Sequence, residues 1–449
     1  MKASAFFKRT GVVIIVIGVI GLLVLAWYGT RPGPMAFATG KTAALDAYSG
    51  HPTGVPADFQ ETDPVARGRY LTQAADCQAC HTAEGGKMFA GGLAFRTAFG
   101  SIYSPNITPD VQSGIGAWSD ADFLKAVHEG IARDGERLYP AFPYAAFTYL
   151  TDEDVLAIKA YLFTLAPVKN VPPENQLSFP YNQRWLMTFW SGLFNPKQRF
   201  EPVADQSPEW NRGAYLAEAL AHCGDCHTPR NLLQALDNKY KFAGALTAGW
   251  RAYNITGDST SGVGAWSETE LAQYLSTGHA QGRGTASGPM AEAVDLSFEK
   301  LTPGDIRAIV VYLRSVPAMQ TPDLPAPKAE PAPADPKQGV AAEVDSPGKH
   351  IFAGACASCH SWTGISALAP HATLTGSRAV NDPTANNVAQ IVLSGSNRQP
   401  SNGALAMPAF AAAYDDTEIA GVANYVTARF GVRASAITAE DVHKLRAAR

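Results

Sequence analysis

The sequence predicts a mostly α-helical fold, with three tandem domains of one design behind a single N-terminal transmembrane helix. Three observations predict this arrangement. A short cysteine-histidine motif occurs three times, helix-capping signals followed by apolar residues at helical spacing close each copy, and one long apolar run lies near the N-terminus. The 449 residues are enough for about three domains of ordinary size.

The N-terminal segment combines basic residues with an uninterrupted apolar run over residues 11–28. At about 1.5 Å per residue, a helix of this length nearly spans the hydrocarbon core, which is roughly 30 Å thick. The basic residues before the run hold the N-terminus in the cytoplasm and direct the rest of the chain to the other side. A cleaved signal peptide is the alternative, although the small-x-small site in view, at residues 36–38, lies well past the run.

The charge of the chain argues against nucleic acid as a partner. The formal net charge is -4 and charged residues make up 17% of the sequence. Basic residues do not cluster outside the termini, so there is no surface to neutralise a polyanion.

An internal repeat accounts for most of the length. RGRYLTQAADCQACHT, from Arg67, matches RGAYLAEALAHCGDCHT, from Arg212. Downstream, the Asn-Ile-Thr segment at Asn106 returns at Asn254. The third copy opens with GKHIFAGACASCH at Gly348 and lacks the Asn-Ile-Thr segment, so it is a smaller version of the same domain.

Helix signals and composition place the boundaries. The closing helices of the first two copies begin at Thr151 and Thr302, each a predicted N-cap with an acid three residues later, Asp154 or Asp305. We predict a membrane anchor at 1–30, a first domain at 60–168, an aromatic crossover at 169–206, a second domain at 207–318, a Pro/Ala-rich linker at 319–344, a third domain at 345–432 and a tail at 433–449.

The motif itself has three possible uses. A structural zinc site needs four ligands, whereas each copy offers two thiols and one imidazole. A thioredoxin-type redox pair needs a preceding strand, which is absent. Covalent haem attachment needs two thiols for the two vinyl groups and a histidine directly behind them to bind iron. We therefore predict three covalent haem c groups, attached and ligated by Cys77, Cys80, His81, Cys223, Cys226, His227, Cys356, Cys359 and His360.

A six-coordinate haem needs a second axial ligand, often a methionine before the closing helix. Met407 in the third copy and Met290 in the second occupy that place. The first copy has Phe142 there, which cannot bind iron. His128 on the preceding helix is the predicted substitute, with Met88 and a five-coordinate iron as alternatives.

The chain resembles the tri-haem cytochrome c subunits of bacterial membrane-bound periplasmic dehydrogenases that act on alcohols, aldehydes, gluconate or fructose. The resemblance rests on RGRYL, NITPD, GIGAW, LYPAFPY and the late MPAF, and covers nearly everything from Ala66 onward. It implies three class I cytochrome c domains on the periplasmic side of the bacterial inner membrane. It also implies electron transfer, without catalysis by this chain, from a dehydrogenase subunit carrying molybdopterin, PQQ or FAD, sometimes with a small third subunit, to membrane ubiquinone.

Two features depart from the family pattern. Many members have methionine where this chain has Phe142, and many have a cleavable signal peptide where this chain keeps an apolar helix. The retained helix is associated with aldehyde dehydrogenase cytochromes, which weakly favours an aldehyde dehydrogenase as the partner.

Other functions remain open at this stage. A peroxidase-like enzyme would use an open haem in the first domain, a freestanding shuttle would have no dehydrogenase partner, and a zinc scaffold would carry no haem. The crossover aromatics Trp185, Phe189 and Trp190 fit a quinone contact, insertion at the membrane interface, or packing between domains.

Overall fold

Short helices form the framework of the described chain. The computed structural model describes residues 18, 19, 21, 31–56, 59, 63–338, 346–398 and 405–447. Its α-helices are α1 Pro64–Ala74, α2 Cys77–His81, α3 Asp120–Glu129, α4 Tyr144–Phe147, α5 Asp152–Leu162, α6 Leu186–Phe194, α7 Pro208–Tyr215, α8 Gly224–His227, α9 Glu268–Thr277, α10 Pro289–Leu296, α11 Pro303–Ser315, α12 Pro347–Ile351, α13 Ala357–His360, α14 Asn386–Ser394, α15 Asp416–Phe430 and α16 Ala439–Ala447.

The strands are short and pair antiparallel in small ribbons. They are β1 Ala94–Thr97, β2 Gly100–Tyr103, β3 Gln176–Leu177, β4 Ala245–Thr247, β5 Trp250–Ala252, β6 His279–Ala280, β7 Gly284–Thr285, β8 Ser396–Arg398 and β9 Leu405–Met407. The β1–β2 ribbon of the first copy and the β4–β5 ribbon of the second occupy matching places after their motifs.

In each copy the opening helix (α1, α7 or α12) crosses the closing helix (α5, α11 or α15) at a glycine. A Cβ atom on that glycine would fall against a carbonyl oxygen of the closing helix. The pairs are Gly68 with Ala157 (1.8 Å), Gly213 with Ala308 (1.9 Å) and Gly348 with Gly421 (2.1 Å). Since real Cβ atoms do not approach so closely, the crossing requires glycine.

The first two copies share one hydrophobic core, which joins buried side chains of both, such as Leu71, Ile158, Leu220 and Ile309. Their helices also exchange hydrogen bonds reciprocally. The Tyr70 hydroxyl of the first copy reaches the closing helix of the second, and the equivalent tyrosine of the second copy reaches the closing helix of the first.

The third copy has its own core and packs on the second through polar contacts. Arg251 forms an ion pair of 2.8 Å with the fully buried carboxylate of Asp382. Arg398 forms another with Asp295, at 2.5 Å. These ion pairs hold the third copy against the second, and one partner in each pair, Asp382 or Arg398, is buried.

The segments predicted as linker and tail are packed where the structure describes them. Residues 319–338 of the predicted linker form no helix or strand, and the Lys328 amide donates a hydrogen bond to Asn381 of the third copy. Within the segment 433–449, α16 buries Val442 and Leu445 in the third core. This segment is therefore part of the third unit, while the other predicted boundaries stay predictions.

Across the described residues, no helix is both long enough and apolar enough to cross a membrane. The predicted anchor at 1–30 lies outside them, apart from residues 18, 19 and 21.

Candidate haem-binding sites

Each cysteine-histidine motif forms a short helical turn, at α2, α8 or α13. Side chains three residues apart on a helix are neighbours on one face, so the turn brings two thiols within reach of one flat ligand. All six cysteines lie among the described residues, and each is a free thiol.

In the first two copies, one residue with a left-handed backbone conformation lies between the opening helix and the motif helix. Asp76 (φ 50°) and His222 (φ 36°), each directly before a first cysteine, adopt the left-handed conformation. Such a residue ends a helix and lets the chain take a new direction. The third copy has a turn of π-helix, Phe352–Cys356, that leads directly into its motif, and the second copy has a similar turn, Leu216–Leu220, before His222.

The three motif histidines share one hydrogen-bonding arrangement. In each, Nδ1 lies within hydrogen-bond distance of a backbone carbonyl oxygen. The pairs are His81 with Pro105 (2.8 Å), His227 with Tyr253 (2.6 Å) and His360 with Ala372 (2.6 Å). A carbonyl only accepts, so Nδ1 carries the proton and Nε2 keeps the lone pair that a metal ion binds. Burial lowers the pKa of all three rings, which favours this neutral form.

The repeated Asn-Ile-Thr segment explains how two of those carbonyls are placed. Asn254 directly follows Tyr253; its Oδ1 accepts from the Thr256 amide at 2.8 Å, and its Nδ2 donates to the Met319 carbonyl at 2.5 Å. Asn106, after Pro105, makes the same kind of contacts in the first copy. The sequence shows that this segment is repeated but does not show its role, because the atom that accepts the histidine hydrogen bond is the backbone carbonyl of the residue before the asparagine.

The third copy lacks this segment and uses a different support. Ala372, whose carbonyl accepts from His360, ends a short 3₁₀ helix, Pro370–Ala372. The same chemical result therefore comes from two local structures.

Five of the six thiols are held in the neutral state. Burial is the largest cause that raises the pKa of Cys77, Cys80 and Cys223 to about 12, and of Cys226 and Cys356 to about 11. Reactive or metal-bound thiolates require the opposite environment. A thioether is uncharged and carries no such burial cost, so these residues fit covalent haem. Among the described residues, no group of three or more His, Cys, Asp or Glu side chains is arranged to hold a metal ion by itself.

The two predicted methionine ligands are half-buried at the edges of the cores. Met407 ends β9, which pairs with β8. Met290 lies in the first turn of α10, and this helix packs against the first motif helix, α2. The second copy therefore brings its methionine-bearing helix to the motif of the first.

The first copy fills the methionine position with an aromatic cluster. The rings of Phe142 and Phe147 lie 5.5 Å apart at a steep angle, and the ring of His222 contacts Phe147 at 5.4 Å. The alternative ligand Met88 is largely exposed.

His128, the predicted sixth ligand of the first haem, is buried and has a different partner. An Arg199 guanidinium nitrogen lies 2.7 Å from its Nδ1, and the Asp152 carboxylate lies 3.8 Å away. Burial and then Arg199 lower the pKa of His128 to about 4. Because guanidinium only donates, the proton of the neutral ring lies on Nε2, opposite to the three motif histidines. The ligand role of His128 stays a prediction, and this hydrogen bond argues against it.

Together the fold and the sites define a class of protein: a c-type cytochrome built from small helical domains, each with a motif for covalently bound haem c. The comparisons with known proteins agree. A family model for cytochrome c matches residues 65–166 and 346–429. The chain is 39% identical to the gluconate 2-dehydrogenase cytochrome c subunit of Pantoea cypripedii, over 87% of this chain and 91% of that relative. It is also 39% identical to the fructose dehydrogenase cytochrome subunit of Gluconobacter japonicus, over 85% and 82%.

The chain belongs to this family, the cytochrome c subunits of dehydrogenases, and the predicted resemblance is confirmed. Its relatives also bear out the prediction that it is an electron-transfer subunit rather than a catalytic one. A further relative, a nicotinate dehydrogenase subunit of Pseudomonas putida, is 38% identical over 90% of this chain. The chain spans 34%, about a third, of the length of that relative.

Proposed function

We propose that this chain carries three haem c groups and relays electrons from the catalytic subunit of a dehydrogenase to membrane ubiquinone. The main evidence is an arrangement found three times: the histidine that follows each CxxC pair has its Nδ1 hydrogen-bonded to a backbone carbonyl, which leaves Nε2 available to bind iron. Family membership supports a dehydrogenase as the electron donor.

The proposed ligands follow from these sites. The six cysteines form the thioethers, and His81, His227 and His360 bind the irons. Met290 and Met407 would complete the second and third sites, and each side chain is half-buried against a core. For the first site, the hydrogen bond between Arg199 and His128 favours an iron without His128.

When bound, haem supplies one-electron redox chemistry. The residues of this chain contribute the rest. The carbonyls of Pro105, Tyr253 and Ala372 orient the proximal imidazoles and raise their basicity. The rings of Phe142 and Phe147 pack together at the methionine position of the first copy, and Met407 packs against the third core. The shared core of the first two copies and the ion pairs to the third hold the sites at fixed separations.

Residues 11–28 are proposed to anchor the chain in the bacterial inner membrane as a single span, with residues 31–449 on the periplasmic side. Attachment of haem c on that side supports the same orientation. The donor would carry molybdopterin, PQQ or FAD, and a small third subunit would fit the same assembly. The relatives are named for nicotinate, gluconate, fructose and alcohol, so the aldehyde substrate favoured by the retained helix is one of several open to test.

The test is gentle detergent purification of the C-terminally tagged chain from its native membranes, followed by mass spectrometry and a pyridine haemochrome assay. We expect three covalent haems per chain and a stoichiometric large subunit whose cofactor identifies the substrate chemistry. The variant Cys356→Ala/Cys359→Ala should retain two haems. A haem-loaded chain that purifies alone would contradict the subunit proposal, and a chain without haem would contradict the relay.

A further inference from the structure

An exposed apolar surface lies on the two segments that contact residues 31 and 32, just after the predicted membrane anchor. We define this collar as Trp185, Phe189, Leu232 and Leu233, whose exposed fractions are 60%, 64%, 100% and 55%. Helix α6, with Trp185 at its N-cap, contains no charged residue. Trp185 and Phe189 are one helical turn apart, and their rings meet edge to face at 6.0 Å.

The other face of α6 is attached to the body of the protein. The rings of Trp190 and Phe194 lie 5.2 Å apart, and Trp190 also contacts Tyr144 of the first copy. The Trp190 indole donates a 2.8 Å hydrogen bond to the Leu233 carbonyl, which joins α6 to the loop of the second copy that carries Leu232. The collar is therefore one surface formed by two segments, held in place from behind.

The first described residues after the predicted anchor contact Phe194 of α6 and Asn238, which belong to the two segments that carry the collar. The guanidinium carbon of Arg31 lies 5.3 Å from the centre of the Phe194 ring, and the Pro32 carbonyl accepts from Asn238 at 3.3 Å. Arg31 is three residues beyond Tyr28, the last residue of the apolar run. Three residues span at most about 10 Å. The predicted end of the anchor is therefore separated from Arg31 by at most about 10 Å of chain.

We propose that the collar inserts into the headgroup and acyl boundary of the lipid bilayer and holds the haem domains at a fixed height and tilt. Aromatic and leucine side chains are the residues that partition to that depth, and tryptophan and tyrosine favour it most. The proposal rests on the membrane anchoring proposed above. A single span attaches a domain without orienting it, whereas a second contact beside the exit point also fixes its rotation.

The test is hydroxyl-radical footprinting of the full wild-type chain, one chain per lipid nanodisc of phosphatidylethanolamine and phosphatidylglycerol, without the catalytic subunit. Leu368, of the same residue type as Leu232 and 76% exposed on the third copy, is the matched control. We expect Trp185, Phe189 and Leu232 to be oxidised at least fivefold more slowly than their exposed areas dictate, and Leu368 to follow its area.

Several outcomes would overturn the collar. They are oxidation of Leu232 at the rate of Leu368, protection that arises only after a dehydrogenase subunit is added, and a chain that does not enter nanodiscs. The haem content of the same sample, measured by pyridine haemochrome, reports separately on the relay. Loss of haem with a protected collar would contradict the proposed function alone, and full haem with an unprotected collar would contradict this inference alone.

Discussion

The Tyr70 hydroxyl donates a 2.6 Å hydrogen bond to the Asp305 carboxylate, and Tyr215 donates a 2.5 Å hydrogen bond to Asp154. All four residues are buried. Each pair joins the opening helix of one copy to the closing helix of the other, so neither copy satisfies its buried polar groups alone. We infer that the first two copies unfold as one cooperative unit.

Replacing Asp305 should destabilise both copies together. Arg212 donates to the two carboxylate oxygens of Asp305 at 2.8 and 2.6 Å. Asp305→Asn leaves a buried guanidinium without its charge partner, which costs about 3–5 kcal/mol in the free energy of unfolding. Urea titrations followed by far-UV circular dichroism would measure the loss.

The matched control is Glu209→Gln, which breaks the exposed ion pair with Arg307. Solvent screens that pair, so its loss should be much smaller. Equal losses in the two variants would show that the Arg212–Asp305 pair is no more important than a surface contact.

The glycine at the helix crossing should not tolerate even a methyl group. In Gly213→Ala the new Cβ would lie 1.9 Å from the Ala308 carbonyl oxygen, so the two helices must separate. We expect a loss of about 1–3 kcal/mol and a lower haem yield. Thermal unfolding would measure the first and haemochrome the second.

Gly304→Ala, in the closing helix of the same copy, serves as the control. Its Cβ would be 3.8 Å from the nearest heavy atom, and alanine is the better helix former. A Gly213→Ala protein as stable as this control would contradict the crossing seen here.

Local sequence signals predicted where the closing helices begin, but they did not predict the contacts between the first two copies. Thr151 and Thr302 cap their helices as predicted, accepting from the amides of Asp154 and Asp305. The carboxylates of those acids accept hydrogen bonds from tyrosines of the other copy. Such pairing depends on how two copies pack, which helical periodicity does not encode.

The C-terminal segment shows the same limit. The segment 433–449 is predicted as a tail, but Val442 and Leu445, three apart on one helical face, pack into the third core. The CxxCH motifs, by contrast, depend on spacing within one helical turn, which is a property that the sequence alone can show.

His128→Leu tests the sixth ligand of the first haem. We expect the ferric low-spin signals in electron paramagnetic resonance to stay unchanged, because Arg199 holds Nδ1 as an acceptor and leaves the proton on Nε2. Met407→Leu is the positive control and should lose one low-spin signal. A loss in His128→Leu would show that Arg199 releases the ring when iron is present and that His128 is the ligand.

Phe142→Met should supply the ligand that the first copy lacks. Methionine ligation raises the potential of a c-type haem, so one midpoint potential should increase while the other two stay constant. Spectroelectrochemical titration would measure all three. Phe147→Met, at the neighbouring ring 5.5 Å away, controls for the loss of an aromatic contact and should move none of them.

Asn254→Ala should change the potential of the second haem without touching a ligand. Asn254 fixes the loop whose Tyr253 carbonyl accepts from His227. Without it that hydrogen bond weakens, the imidazole becomes a poorer electron donor, and the ferric state loses stabilisation. We expect the midpoint potential to rise by a few tens of millivolts, where about 59 mV corresponds to a tenfold change for one electron.

Two references separate this effect from a general loss of stability. The potential of the third haem serves as an internal reference, because the carbonyl of Ala372 is held by a separate 3₁₀ helix. Asn386→Ala, which removes a hydrogen bond to the Gly249 carbonyl and none to a motif histidine or its carbonyl partner, should leave all potentials constant. Equal shifts in the two variants would mean that Asn254 contributes only to general stability, whereas a shift confined to Asn254→Ala and to the second haem assigns it to the orientation of His227.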